Sequence, residues 1–142
     1  MSQGLMDLYL YFRYKTALPR PLVELGILIT AREWSTQFEW YMHYPVARTE
    51  GVSASLLAEL RDGRRPAAMK PDEAAVYDFS TELLRRHAVA DATYQRVISS
   101  LGEKNVVDLT ALISTYATYA ALLNVNQVKI PVSEGPEFLP VR

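Results

Sequence analysis

Hydrophobic positions recur at helical spacing along nearly the whole chain, and no stretch alternates as a half-buried strand would. Met6, Leu8, Leu10, Tyr11, Phe12 and Tyr14 make a short aromatic-rich segment, read as a helix or turn packed on the core. Leu18-Pro19-Arg20-Pro21 breaks it, and Pro21 suits the first turn of a following helix. Leu22, Val23, Leu25, Ile27, Leu28 and Ile29 leave almost no polar face, which predicts a buried helix over 22–34. Ser35 and Thr36 punctuate the run. Thr36 and Glu39 fit the Ser/Thr-x-x-Glu capping box, so a new helix is expected from there to about Glu50, with Gly51 as its stop. Pro45 lies inside it and predicts a kink or a break.

The second half reads the same way. Ser53 caps a short helix with Leu56, Leu57 and Leu60 inward, ending at Asp62-Gly63. Pro71, followed by Asp72 and Glu73, opens a helix whose inward stripe is Val76, Phe79, Leu83 and Leu84. Asp91 is placed as the cap of a helix with Tyr94, Val97, Ile98 and Leu101 inward, stopped by Gly102. The last helix, over 103–128, carries Val106, Val107, Leu109, Leu112, Ile113, Tyr116, Ala120, Leu122 and Leu123, too many apolar positions for one solvated face. The fold class is therefore all-α, a bundle of about six or seven helices. A chain of 142 residues suits one domain, 1–142, with an N-terminal segment over 1–20. The stretch 129–142 holds three prolines and a glycine, and reads as an extended tail lying across a neighbouring subunit.

Composition narrows the function. Hydrophobic residues make up 49% and charged residues 22%, the balance of a folded globular chain. A net charge of -1 gives no electrostatic footprint for nucleic acid. The densest basic group, Arg61, Arg64 and Arg65 beside Asp62, reads as a solvated loop. There is no cysteine, which excludes disulfides, thiol catalysis and thiolate metal sites; two histidines exclude a His-rich site, and no metal is assigned. No stretch is expected to reach the roughly 18 apolar residues of a membrane span. Asp7, Arg13 and Lys15 interrupt any signal-peptide pattern, so a cytoplasmic location is expected. Two nearly all-apolar helices in so short a chain predict a homo-oligomer.

Glu39 and His43 stand four residues apart, on one helix face, among Phe38, Trp40, Tyr41 and Tyr44. An acid and an imidazole so placed can exchange protons, and apolar neighbours raise a carboxyl pKa. Each has a plainer reading: Glu39 as a capping residue, His43 as a buried histidine bonding a carbonyl near Pro45. Glu24 sits in an otherwise apolar helix, where an unpaired carboxylate costs several kcal/mol. It must therefore find a partner or solvent, the plain reading being an ion pair with Arg20 or another arginine. Trp34, Trp40, Tyr41 and Tyr44 are candidates for a pocket wall, with core or interface packing as the alternative. Tyr116 and Asn124 are candidates for polar contacts to a ligand. Arg32 or Arg48 is a candidate for meeting a substrate carboxylate. His87, after Arg85-Arg86, fits a cation at a helix C-terminus.

The helices over 22–47, the Trp34, Glu39-Trp40 and His43 pattern, and the later Tyr116 with Leu122-Leu123-Asn124 resemble the carboxymuconolactone decarboxylase family, over residues 21–128. That family lies in the alkylhydroperoxidase D-like superfamily of all-helical oligomers. The redox branch of the superfamily carries Glu-x11-Cys-x2-Cys-x3-His. By spacing this falls on Glu24, Thr36, Glu39 and His43, so the ends match and both cysteines are missing. The resemblance implies a proton relay of Glu24, Glu39 and His43 acting without a cofactor on a small carboxylated or lactone metabolite. The decarboxylase branch releases carbon dioxide from 4-carboxymuconolactone. The alternatives are a peroxidase inherited from the redox branch, which the lack of thiols opposes, and a non-catalytic helical binding protein.

Overall fold

A computed structural model describes residues 2–131 and 139–140 and folds them into seven helices, with no strand among the described residues. They are α1 (Ser2–Tyr14), α2 (Arg20–Glu33), α3 (Gln37–Thr49), α4 (Ala54–Arg61), α5 (Pro71–Arg86), α6 (Asp91–Leu101) and α7 (Glu103–Val125). The all-α reading and the helix number hold. Helix α2 is the axis of the bundle, packed by α3, α5 and α7 and touched by α4. Its residues 22 to 32 are buried without interruption, so the all-round apolar pattern is enclosed within the chain itself. Gly26 permits this closeness: a Cβ there would lie 3.3 Å from side-chain carbons of both Leu112 and Ile113 on α7.

Several boundaries differ from the sequence reading. Pro45 neither breaks nor ends α3, which runs on to Thr49. Proline there costs a backbone bond, but Trp40, Ala47 and Val52 anchor both sides of it in the core. Gly51, at φ +98°, closes the helix as expected. Ser53 caps α4 by accepting the Leu56 N–H at 3.1 Å. Asp91 is not a cap; Ala90 takes that position, and its N–H is held by Glu82 at 2.8 Å. Tyr94, read as inward, is exposed, as are Val107 and Leu122 on α7. His87 ends α5 in a left-handed conformation (φ 59°), with its N–H bonded to the Leu83 carbonyl.

Helix α7 does reach the length and apolarity of a membrane span, with mean hydropathy 1.5, contrary to the sequence reading; within this fold it packs on α2, α5 and α6. Helix α1 is seated less deeply than expected. Phe12 is buried, whereas Met6, Leu8, Leu10 and Tyr14 are exposed. Three polar ties hold it. The Tyr119 hydroxyl donates to the Leu5 carbonyl at 2.6 Å. The Tyr11 hydroxyl, at 3.0 Å, and the Thr16 hydroxyl, at 2.6 Å, donate to Asp108 of α7. Of the tail, Leu139 is buried against the chain's own body, its backbone exchanging two hydrogen bonds with the Gln37 side chain. The remainder of the tail to which the expected arm belongs, 132–138 and 141–142, lies outside the described residues.

Candidate active site

Helices α2 and α3 form an antiparallel hairpin, and the turn is made possible by Ser35 in the left-handed region (φ 51°). The hairpin brings the middle of α2 against the middle of α3. Glu24, only 1% exposed, thereby meets His43, with Oε2 at 2.7 Å from Nδ1. The same imidazole reaches Glu39 through its other nitrogen, Nε2 to Oε2 at 3.4 Å. The three residues named from sequence thus form one chain, Glu24–His43–Glu39. The Thr36 side chain makes no cap bond, so the expected capping box is absent and Glu39 is turned toward His43 instead.

Both sequence-derived partners of Glu24 are real. Arg20 donates to Oε1 at 2.8 Å while His43 occupies Oε2. Arg13 of α1 approaches Oε1 as well, at 3.6 Å. This surround explains how a carboxylate persists inside an apolar helix. It also orients the ring, with Nδ1 turned to Glu24 and Nε2 turned to Glu39. Burial pushes the Glu39 carboxyl above its ordinary value; His43 opposes this and the Glu24 charge adds to it. A buried carboxyl with a raised pKa in reach of an imidazole is an arrangement that suits general acid–base work.

The chain opens into a cavity of about 530 Å3. Helix α3 contributes Phe38, Met42 and Val46 beside the acid and imidazole. Helix α1 contributes Leu5, Met6, Tyr9 and Arg13, and α7 contributes Tyr116 and Tyr119. The Tyr116 ring meets the His43 ring edge-on, centroids 5.3 Å apart. Burial, then the charges of Glu39 and Glu24, pushes the Tyr116 phenol up, which keeps its hydroxyl a donor. Among the described residues, no cluster of three or more His, Asp or Glu side chains is disposed to hold a metal ion.

The remaining sequence candidates lie elsewhere. Trp40 is fully buried, packed near Tyr44 with centroids 5.9 Å apart, and does not line the cavity. Trp34 borders a different hollow of about 440 Å3, beside Leu84 and His87. Asn124 donates to the Trp34 carbonyl at 2.9 Å, tying α7 to the end of α2. Arg32 is buried beside Gly63 in the turn after α4, and Arg48 donates to the Val52 carbonyl. Neither arginine borders the cavity. The sequence reading missed Arg13, Tyr9 and Tyr119. Leu5, Tyr9 and Arg13 follow at intervals of four, a helical face that was visible, but nothing local says that it covers α3.

The raised Glu39 pKa makes a stability prediction. The folded state holds this proton more tightly than the unfolded chain, so the stability it gives is complete in acid. That stability is lost as pH rises from the ordinary carboxylate range through Glu39's own pKa. Glu39→Gln removes the titration. Its thermal midpoint relative to the native protein is expected to climb by a few degrees over that window, read by calorimetry from pH 4 to 8. A difference that stays flat with pH would contradict the buried-acid assignment.

No protein-family model and no curated protein matches the sequence. Among solved structures, the chain is similar to a protein of unknown function from Agrobacterium tumefaciens, proposed there to be the antioxidant defence protein AhpD. The match has a TM-score of 0.82 at 16% identity and covers 93% of this chain and 91% of that one. An identity this low carries the architecture and not the activity. The chain has the alkylhydroperoxidase D-like fold, in a form without cysteine.

Proposed function

We propose that this protein performs acid–base chemistry, without a redox group, on a small carboxylated or lactone metabolite: a decarboxylation or a related lyase step. The observation that carries the reading is the Glu24–His43–Glu39 chain ending in a cavity of about 530 Å3. Glu24 fixes the ring, and the Glu39–His43 pair delivers or takes the proton. In a decarboxylation the carbon–carbon bond to the leaving carboxylate breaks, and its electron pair passes into an enolate. Protonation at carbon from Glu39 or His43 then completes the step. The Tyr116 hydroxyl, which lines the cavity and stays protonated, serves in this reading as a donor to developing oxyanion charge. Thiol-based peroxide reduction has no nucleophile here, since the chain contains no cysteine.

Carbon dioxide release from 4-carboxymuconolactone tests the proposal, comparing the native protein with Glu39→Gln. Turnover by the native protein and a loss of roughly a hundredfold in the variant are expected. Because Glu39→Gln is expected to be at least as stable as the native chain near neutrality, such a loss would not reflect unfolding. Dithiol-dependent peroxide consumption above a buffer control would instead overturn the reading.

A further inference from the structure

Two guanidinium groups compete for one carboxylate beside the cavity. Glu24 offers one carboxylate and two guanidinium groups face it, Arg20 at 2.8 Å and Arg13 at 3.6 Å. Arg20 is fully engaged: beyond Glu24, its other terminal nitrogen lies 3.4 Å from the carbonyls of both Phe12 and Arg13. Arg13 has no hydrogen bond within normal reach among the described residues, and its side chain is 33% exposed on the cavity wall. The acid bordering the cavity, Glu39, is bound to the His43 ring and makes no ion pair with Arg13. Arg13 is thus only loosely paired, and it brings to the cavity wall a planar fork suited to a carboxylate.

We infer that Arg13 anchors a carboxylate of the ligand, and that the cavity selects carboxylic acids over their neutral analogues, on an apolar, ring-sized body. The rest of the wall fits such a body: Phe38, Met42 and Val46 from α3, and Leu5 and Met6 from α1. Arg13 and His43 approach opposite oxygens of the same Glu24 carboxylate. A carboxylate held on Arg13 therefore lies beside the imidazole and presents the adjoining carbon to the Glu39–His43 pair. Specificity for the anion then comes from α1, the least deeply seated helix, while the proton chemistry stays on the α2–α3 hairpin. The inference rests on the cavity's being the substrate site, but binding tests it without any turnover.

The test is a titration of the full chain with benzoate and with its neutral analogue benzamide, followed through the histidine ring resonances in 1H–15N NMR. The chain has two histidines, and His87, exposed at the end of α5, serves as the internal control. Benzoate is expected to shift His43 and leave His87 unmoved, binding at least about tenfold more tightly than benzamide. Arg13→Gln should weaken benzoate by roughly ten- to a hundredfold, the size of a lost charge-assisted pair, and leave benzamide unchanged. Arg13→Lys should fall between. Equal affinity for the two probes, no binding of either, or an Arg13→Gln variant that binds benzoate normally would overturn the inference. Folding is a small concern, because the Arg13 contact is long and partly solvated; an unchanged amide spectrum checks it. Binding at Arg13 without carbon dioxide release would sink the proposed reaction and leave the anchor standing.

Discussion

His43→Ala is expected to lower carbon dioxide release from 4-carboxymuconolactone by at least roughly a hundredfold while leaving the fold in place. The imidazole is the link between two carboxyls, 2.7 Å from one and 3.4 Å from the other, so its removal separates Glu24 from Glu39. Glu24 would not be stranded, since Arg20 still holds Oε1. That retained pair argues for a modest change in stability, in contrast to the usual cost of leaving a buried charge alone. The substitution also vacates space beside the Tyr116 ring and on the cavity wall. Added imidazole should therefore recover part of the lost turnover in the variant and none in the native protein. A merely structural histidine would give no such rescue. Glu24→Gln offers the complementary measurement: the ring remains but loses its anionic anchor, so the pH profile should move more than the rate at its optimum.

The proximity of Glu39 and His43 was legible because it is local. Glu39 and His43 share a helix face by spacing alone, and a lone carboxylate in the apolar run 22–29 demands a partner by the cost of burying charge. The link between Glu24 and His43 came from the family's Glu…His spacing; what realises it physically is the antiparallel packing of consecutive helices across a short turn. What was not legible is everything that α1 and α7 bring. Arg13 and His43 are thirty positions apart in the chain, and no periodicity says which arginine reaches a pocket. Arg32 and Arg48 looked equally suitable. Their distance from the cavity follows from the register of α2 and the end of α3: one arginine is turned to the Gly63 loop and the other serves a backbone carbonyl.

The same division runs through the fold. The inward stripes of α4 and α5 are amphipathic patterns and were read correctly at Leu56, Leu57, Leu60, Val76 and Phe79. Where a helix is apolar all round, as α7 nearly is, pattern cannot choose a face, and Val107 and Leu122 lie on the exposed one. Caps were legible when the side chain serves its own helix, as at Ser53. They were misread when a distant residue took the bond, as Glu82 does for Ala90. Pro45 was weighed by its local cost alone. The core contacts of Trp40 and Ala47 outweigh the single backbone bond that it removes.

Trp40→Ala is expected to destabilise the protein by about 3–5 kcal/mol, the largest stability effect of any substitution near the site. Adjacent in sequence to Glu39, Trp40 looks like a pocket residue. The helix turns it the other way, since consecutive residues stand about 100° apart around the axis. The indole is 0% exposed, and its truncation leaves a void between α3 and the core that its neighbours fill only in part. Denaturant unfolding would read the loss directly. Trp40→Phe separates packing from chemistry: it keeps most of the apolar volume, so it should cost far less stability and leave benzoate binding at the cavity unchanged. Loss of binding in a stably folded Trp40→Phe would return the indole to the site and redraw the cavity's floor. Retained binding would instead define the residue as the support behind Glu39, whose burial, and hence raised pKa, depends on that packed face.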